Sequence, residues 1–364
     1  MKSEIYFMQR AIDLSKLGKY NVAPNPMVGC VITEKNKIIS EGYHSKFGSD
    51  HAEIVALKKL KKNINNNMIM HVSLEPCCHI GKTGPCVDSI INSGIKNINI
   101  AMLDPNPLVK GKGVKKLRAN GINVKVGICN KEAKIVNKGF ISRIVQNKPY
   151  VTIKQAVSID NKISNPKSKW LSNKESRKDV QFLRAESCAI LIGSETLYKD
   201  NPKLNVKLKN SDLKTNLKIR NPIKIVLDSK LSKKITDYKF FKGSGKKIIF
   251  NNIVTNFDKE NNIDYIKVGK NNLGLNIESI LKILAKKYQI NYLMVEPGAK
   301  LLKSFILKNL IDDLIIYKCP IIIGKFGLDA FSTNSKYLKK NIIEIDTIKQ
   351  MSNDVKITYK FKKK

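Results

Sequence analysis

Three short runs limit what this chain can become: His51-Ala52-Glu53, Glu75-Pro76-Cys77 and Gly84-Pro85-Cys86. One imidazole and two thiols make a soft-to-borderline ligand set, the set that zinc prefers. Three protein ligands rather than four leave a position open for water, whose pKa zinc lowers towards neutrality. Glu53 lies two residues from the His. A carboxylate there can carry protons between such a water and a leaving amine.

The same order, His-x-Glu and later Pro-Cys and a second Cys, marks zinc deaminases of nucleobases. Deaminases of the cytidine and tRNA-adenosine kinds use Cys-x-x-Cys. Here eight residues, Cys78 to Pro85, separate Cys77 from Cys86. The insert is polar, glycine-bearing and cationic, suited to reach over a substrate. The run Val72–Cys86 (Val-Ser-Leu-Glu-Pro-Cys-Cys-His-Ile-Gly-Lys-Thr-Gly-Pro-Cys) resembles the deaminase motif of the bifunctional riboflavin-biosynthesis deaminase–reductase family. Pro24-Asn25-Pro26-Met27-Val28-Gly29-Cys30-Val31-Ile32 and Glu41-Gly42-Tyr43-His44 match the same family. The remaining cysteines, Cys30, Cys129, Cys188 and Cys319, sit in or beside apolar stretches and read as core residues. Cys78 neighbours the site out of ligand position and reads as a bystander.

A chain of 364 residues exceeds one ordinary domain, and two domains are the natural expectation. No apolar stretch reaches transmembrane length, and Met1–Phe7 lacks the basic leader and apolar core of a signal peptide. Seven cysteines without regular spacing argue against a disulfide framework. Cytoplasm is therefore the expected location. The net charge of +37 invites a nucleic-acid reading. Lys, Asn and Ile are enriched together, however, which AT-rich codons explain without a partner. Aromatic residues rarely interleave with the lysine clusters, as base stacking would require. The expected partner is a small phosphorylated pyrimidine, not nucleic acid or membrane. Whether the chain forms a homo-oligomer is left open.

As far as Gln146 the pattern alternates helix and strand, which predicts an α/β layered fold. Helices are expected over about residues 3–17, His51–Lys61 (Asp50 as N-cap), Cys86–Ser93 (ended by Gly94) and Lys131–Gln146. Residues two apart on a helix do not share a face. His51 and Glu53 can meet one site only if His51 lies at the very start of its helix. Strands are expected at Val28–Thr33 and Lys37–Tyr43, a hairpin, and at Met68–Leu74, Asn97–Met102 and Ile122–Val126. Asn147-Lys148-Pro149 breaks the pattern and divides the chain into domains 1–147 and 148–364. The second begins with a strand, Tyr150–Ile159. Further strands are expected at Ala189–Ile192, Ile223–Leu227, Lys247–Phe250, Tyr292–Val295, Ile342–Ile348 and Val355–Phe361. Lys203–Asn221 and Asn251–Asn276 are polar and read as loop or insertion.

Val295–Leu302 reads as a strand, a glycine turn and a helix start, where backbone N–H groups bind phosphate. No Gly-x-Gly-x-x-Gly is present, so a Rossmann site is not indicated. Trp170 is either a packing anchor or a wall of a ring-binding cleft. Arg184 grips a phosphate bidentately or forms a surface ion pair. The second half also resembles the reductase domain of the same family. The matching stretches are Lys154–Asp160, Ser168-Lys169-Trp170, Arg177–Ala185, Thr196–Val206, Val226–Ser229 and Val295–Gly298.

The resemblance implies a cytidine-deaminase-like zinc domain followed by a dihydrofolate-reductase-like domain. It implies zinc at His51, Cys77 and Cys86, with Glu53 as the catalytic proton carrier. It implies NADPH contacts at Ala156, Trp170, Thr196, Asp200, Ser229 and the turn Gly298-Ala299-Lys300. Substrate contacts are implied at Ser168, Arg184, Leu204, Lys207 and Glu296. The implied reactions are deamination of 2,5-diamino-6-ribosylamino-4(3H)-pyrimidinone 5′-phosphate and NADPH-dependent reduction of its ribosyl chain to ribityl. The chain departs from the family pattern at five places. Gly84 loosens the loop before Cys86. Asn161 stands for a Gly, in a turn that Asn tolerates. Lys207 keeps the charge of an Arg without its bidentate grip. Pro297 and Ala299 alter the glycine-rich turn, and Pro297 removes one N–H donor. Two rivals remain: a tRNA or nucleotide deaminase with an unrelated appendage, and a basic nucleic-acid-binding protein without catalysis. The wide cysteine spacing and second-half motifs oppose the first. The complete His51, Glu53, Cys77, Cys86 set opposes the second.

Overall fold

The computed structural model describes residues 3–78, 84–107, 109–164, 170–213, 217–218, 220–231, 237–243, 245–331 and 342–362. The chain divides into two units, Met1–Asn147 and Lys148–Lys364.

The first unit runs α1 (Glu4–Ser15), β1 (Gly29–Glu34), β2 (Lys37–Tyr43), α2 (Ala52–Lys59), β3 (Met68–Val72) and α3 (Cys86–Ser93). It continues with β4 (Asn97–Ile100), α4 (Lys112–Ala119), β5 (Asn123–Val126), α5 (Asn130–Val136) and α6 (Lys138–Gln146). The sheet order is β2-β1-β3-β4-β5. β1 is antiparallel to β2 and β3, whereas β3, β4 and β5 are parallel. Ile32, Met70, Val72, Ile98 and Val124 pack on one face with residues of α2, α3 and α4. Val31 on the other face meets Met8, Ala11 and Ile12 of α1 and Ala133 of α5. Alternation along β1 thus sorts Val31 and Ile32 to opposite layers. Gly42 lets α2 lie directly on β2, for a Cβ there would stand 2.3 Å from the Ala52 carbonyl oxygen. Any larger residue would lift the helix that carries Glu53.

Three details differ from the sequence expectations. His51, not Asp50, occupies the N-cap of α2, with extended backbone at φ −74° and ψ 162°. The expected helix Lys131–Gln146 is two helices parted at Asn137, whose side chain accepts from Met27 N and donates to Met27 O. Anchoring a distant loop outweighs continuing the helix at that residue. Cys129 is only half-buried, packed against the edge of the core with φ +55°, whereas Cys30, Cys188 and Cys319 are buried.

A buried histidine stands in β3. His71 Nδ1 lies 3.3 Å from Asn99 Nδ2, and Nε2 lies 3.2 Å from Thr33 Oγ1. The Asn99 amide can only donate to Nδ1, so the ring is the neutral Nε2–H form. Burial lowers its pKa to about 4. A group depressed from 6.5 stabilises the fold fully above pH 6.5, and the gain is lost as pH falls towards 4. The expected loss is about 3 kcal/mol, from 1.36 kcal/mol per pKa unit. Urea unfolding of the first unit should show that slope, and His71→Gln should flatten it. Equal slopes in both proteins would remove His71 as the cause.

The second unit runs β6 (Tyr150–Ser158), α7 (Lys174–Glu186), β7 (Ala189–Gly193), α8 (Ser194–Asp200), α9 (Asn210–Leu213), β8 (Ile223–Leu227) and β9 (Lys247–Asn251). Next are β10 (Asn256–Asp258), β11 (Ile263–Lys267), β12 (Lys270–Asn271), β13 (Gly274–Leu275), α10 (Ile277–Lys286), β14 (Tyr292–Val295) and α11 (Ala299–Leu307). It ends with β15 (Asp313–Cys319), β16 (Ile343–Met351) and β17 (Asp354–Phe361). Ten strands form one sheet, ordered β10-β11-β9-β8-β7-β14-β6-β15-β17-β16. The seven from β11 to β15 are mutually parallel, and the edge strands turn antiparallel. Ile190, Ile192, Val226, Ile249 and Met294 pack with Val180 of α7 and Leu197 of α8. Their neighbours Leu191, Ile225, Ile248 and Leu293 are buried as well, so the central strands are covered on both faces. Asn251–Asn276, expected as loop, instead supplies β10 to β13, with β11 paired to β9. Among the described residues no helix is long and apolar enough to cross a membrane.

Candidate functional site

In the first unit, His51, Cys77 and Cys86 reach one point from three elements. His51 caps α2, Cys77 follows β3 on a loop, and Cys86 is the first residue of α3. The extended backbone at His51 frees its ring from the helical direction, so His51 and Glu53 face the same centre although they are two residues apart. His51 Nδ1 lies 3.1 Å from Cys86 Sγ and 3.6 Å from Cys77 Sγ. All three ligand atoms fall within 4.8 Å of one another. Zinc bonds of about 2.0–2.3 Å to nitrogen and sulfur span such a triangle from one central position.

The surroundings favour a metal there. Cys86 N donates to Cys77 Sγ at 3.4 Å, so the start of α3 directs positive charge at the thiol pair. A hydrogen bond from the Cys86 thiol, with His51 alongside, pushes the Cys77 thiol well below the usual range, and the Cys86 thiol is raised in return. Glu53, in the first turn of α2, is 3% exposed. Burial pushes its carboxyl up to about 7. Its Oε2 is buried and finds no hydrogen-bond partner among the described residues. A buried oxygen beside three converging ligands fits a small polar molecule held between them.

His44 stands behind His51, their rings 5.1 Å apart and at 74°. Its Nδ1 donates to the Asp50 carbonyl at 3.0 Å, so Nε2 accepts from Asn25 Nδ2 at 3.1 Å. Both residues lie in the quoted motifs, but their pairing across 19 residues is visible only in the fold. Cys78 packs at the edge of the core, consistent with a bystander. Residues 79–83 of the insert lie outside the described residues.

In the second unit, several named positions follow the C-terminal ends of parallel strands. Thr196 and Asp200 are in α8 after β7, Ser229 follows β8, and Glu296 to Lys300 follow β14. Ala156 is near the end of β6. The crevice at that edge is where open α/β sheets bind ligands. Gly298 is the N-cap of α11, and a Cβ there would meet nothing within 4 Å. Lys300 pairs with Glu195 at 2.8 Å in the open. Trp170 is 58% exposed with Arg177 5.3 Å from its ring, so it is no packing anchor. Leu204 is buried in the core with φ +52°, and Lys207 is held through its backbone N–H by Gln181 at 2.9 Å. Asn161 has φ +60°, the left-handed turn expected of it. Ser168 lies outside the described residues.

Arg184 and Glu296, two separately named positions, meet each other. Arg184 Nε and Nη2 donate to Glu296 Oε1 at 3.1 and 2.8 Å, and Lys154 Nζ to Oε2 at 3.3 Å. Burial alone would raise the Glu296 carboxyl, but the two cations outweigh it and hold it at about 2. Arg184 is therefore neither a surface pair nor an unoccupied phosphate grip. Lys154 was quoted only as part of a motif. Its neighbour is 142 residues away, and no local spacing points to it.

Comparison with known proteins agrees with both halves. Residues 1–102 match the cytidine and deoxycytidylate deaminase zinc-binding region, and residues 149–357 match the RibD C-terminal domain. The riboflavin biosynthesis protein RibD of Aquifex aeolicus is 37% identical over 92% of this chain and 94% of its own. The structure of Acinetobacter baumannii RibD (form 1) superposes with a TM-score of 0.88 at 31% identity, covering 99% of each chain. A diaminohydroxyphosphoribosylaminopyrimidine deaminase/5-amino-6-(5-phosphoribosylamino)uracil reductase from Thermotoga maritima gives 0.84 at 33% identity, covering 98% of each. With its zinc-binding deaminase half and its reductase half both present, the chain belongs to the RibD family of bifunctional deaminase–reductases of riboflavin biosynthesis.

Proposed function

We propose that the first unit deaminates 2,5-diamino-6-ribosylamino-4(3H)-pyrimidinone 5′-phosphate and that the second reduces the product's ribosyl chain with NADPH, yielding 5-amino-6-ribitylaminouracil 5′-phosphate. The observation that carries the reading is the convergence of His51 Nδ1, Cys77 Sγ and Cys86 Sγ beside the partnerless Glu53 Oε2. These three residues hold the zinc. When bound, zinc would lower the pKa of a water in its open position and so supply hydroxide near neutral pH. Glu53 takes the proton that the attacking water gives up and delivers it to the departing amine. Burial suits it to both tasks, because a carboxyl raised towards neutrality gives up and regains a proton readily near pH 7.

In the second unit the protein's work is positioning. NADPH supplies the hydride. The Gly298-Ala299-Lys300 turn, Thr196, Asp200, Ser229, Ala156 and Trp170 hold it along the carboxyl edge of the sheet. Pro297 offers no N–H, so the start of α11 supplies the phosphate donors. Ser168, Arg184, Leu204, Lys207 and Glu296 hold the substrate, with Glu296 and Arg184 already fixed by their mutual pair.

The deciding assay supplies purified protein with the diaminopyrimidinone phosphate, with and without NADPH, and follows ammonia and NADPH absorbance separately. Ammonia release without NADPH, followed by oxidation when NADPH is added, supports the reading. Elemental analysis should find one zinc per chain, lost in Cys86→Ser. Absence of stoichiometric zinc, or unchanged zinc in the variant, rejects the metal assignment.

A further inference from the structure

Glu75 takes no part in the chemistry described above, yet it is 3% exposed and fully engaged. Its Oε2 accepts from Asp104 N at 3.1 Å and Gly111 N at 3.0 Å, and its Oε1 from Val114 N at 3.1 Å. Gly111 is the N-cap of α4 and has no side chain to satisfy the first turn. Glu75 supplies that cap from 36 residues away, with negative charge at the positive end of the helix. The next residue is pinned as well. A Cβ on Gly113 would stand 2.5 Å from the Pro76 carbonyl oxygen, so α4 rests directly on the loop. Cys77 is held from its other side by α3, through Val87 N to Cys77 O at 3.1 Å and Cys86 N to Cys77 Sγ at 3.4 Å. The segment Glu75-Pro76-Cys77 is therefore clamped between the starts of two helices.

We propose that Glu75 is a positioning residue for Cys77: by capping α4 it fixes the sulfur relative to His51 and so sets the affinity and geometry of the metal site. This rests on the zinc reading given above. Glu75→Gln keeps the shape but turns an amide N–H towards main-chain donors. Gly113→Ala keeps the carboxylate but crowds the segment from the helix side, its Cβ standing 2.5 Å from the Pro76 carbonyl oxygen and 3.1 Å from Glu75 Oε1. Both are compared, as full-length chains, with Val124→Ala, a core truncation in β5, which β4 separates from β3 and the loop that follows it.

Zinc affinity is measured by competition with a chromophoric chelator. Metal geometry is read from the absorption spectrum of the Co²⁺-loaded protein, with melting temperature alongside. Glu75→Gln and Gly113→Ala should each weaken zinc binding about 10–100-fold and shift the Co²⁺ spectrum, the scale seen for groups that orient metal ligands. Val124→Ala should lower the melting temperature and leave zinc affinity unchanged. If Glu75→Gln does not fold, Gly113→Ala decides. Wild-type zinc affinity and an unchanged Co²⁺ spectrum in a folded variant overturn the proposal. Equal weakening in Val124→Ala at matched melting temperature does so too. Failure of the wild-type chain to take up either metal would instead overturn the zinc reading itself.

Discussion

Glu53→Gln should retain its zinc and lose deamination by ~10²-fold or more, the scale of general acid–base catalysis. The substitution is close to isosteric in a site where Glu53 is buried, so packing is preserved. Its Oε2 has no partner among the described residues, so the change breaks no hydrogen bond at that oxygen. Folding cost and catalytic cost are thereby separated. What disappears is the ability to accept a proton, which an amide lacks at neutral pH. Ammonia release and zinc content are measured on the same preparation. Near-normal release with zinc in place would take the proton-carrying role away from Glu53.

The cluster of His51, Cys77 and Cys86 was legible because the motif is linear and the proposed chemistry needs those atoms. The hairpin was legible from two short apolar runs around Glu34-Lys35-Asn36, and Lys35 and Asn36 take positive φ, 45° and 62°, in its two-residue turn. Gly94 ended α3 for a similar reason, with φ +86° at the C-cap. The start of α2 was missed by one residue. Asp50 is the better capping type, yet the helix begins one residue later, with His51 in extended backbone at its N-cap. Strands β10 to β13 gave no signal, since they are short and lie in an Asn- and Lys-rich segment, β10 at the sheet edge and β12 with β13 in a separate two-stranded sheet. β16, expected over Ile342–Ile348, extends to Met351 although it is exposed along nearly all its length. The Lys154–Glu296–Arg184 cluster joins residues 112 and 142 positions apart. Each was visible as a residue, but only the parallel pairing of β6 with β14 and the packing of α7 against β14 make them neighbours.

His51→Ala should abolish ammonia release and leave reduction of the already deaminated aminouracil phosphate intact. The proposed zinc ligands all lie before Asn147, and every proposed NADPH contact lies after it. Each unit has its own sheet, and the buried clusters around Met70 and Val31 belong to the first while that around Ile190 belongs to the second. Removing one metal ligand therefore perturbs a core that the reductase does not share. The converse experiment uses Gly298→Val. Gly298 has φ −77°, which any residue adopts, and a Cβ there meets no protein atom within 4 Å. The fold should thus accept valine, and a loss of NADPH oxidation would report a ligand kept away from the start of α11. Asp200→Ala, at the exposed end of α8, should likewise impair NADPH use. Deamination should proceed at the wild-type rate in both. If His51→Ala eliminated reduction as well, with circular dichroism unchanged, the two activities would be coupled and this division between the units would be wrong.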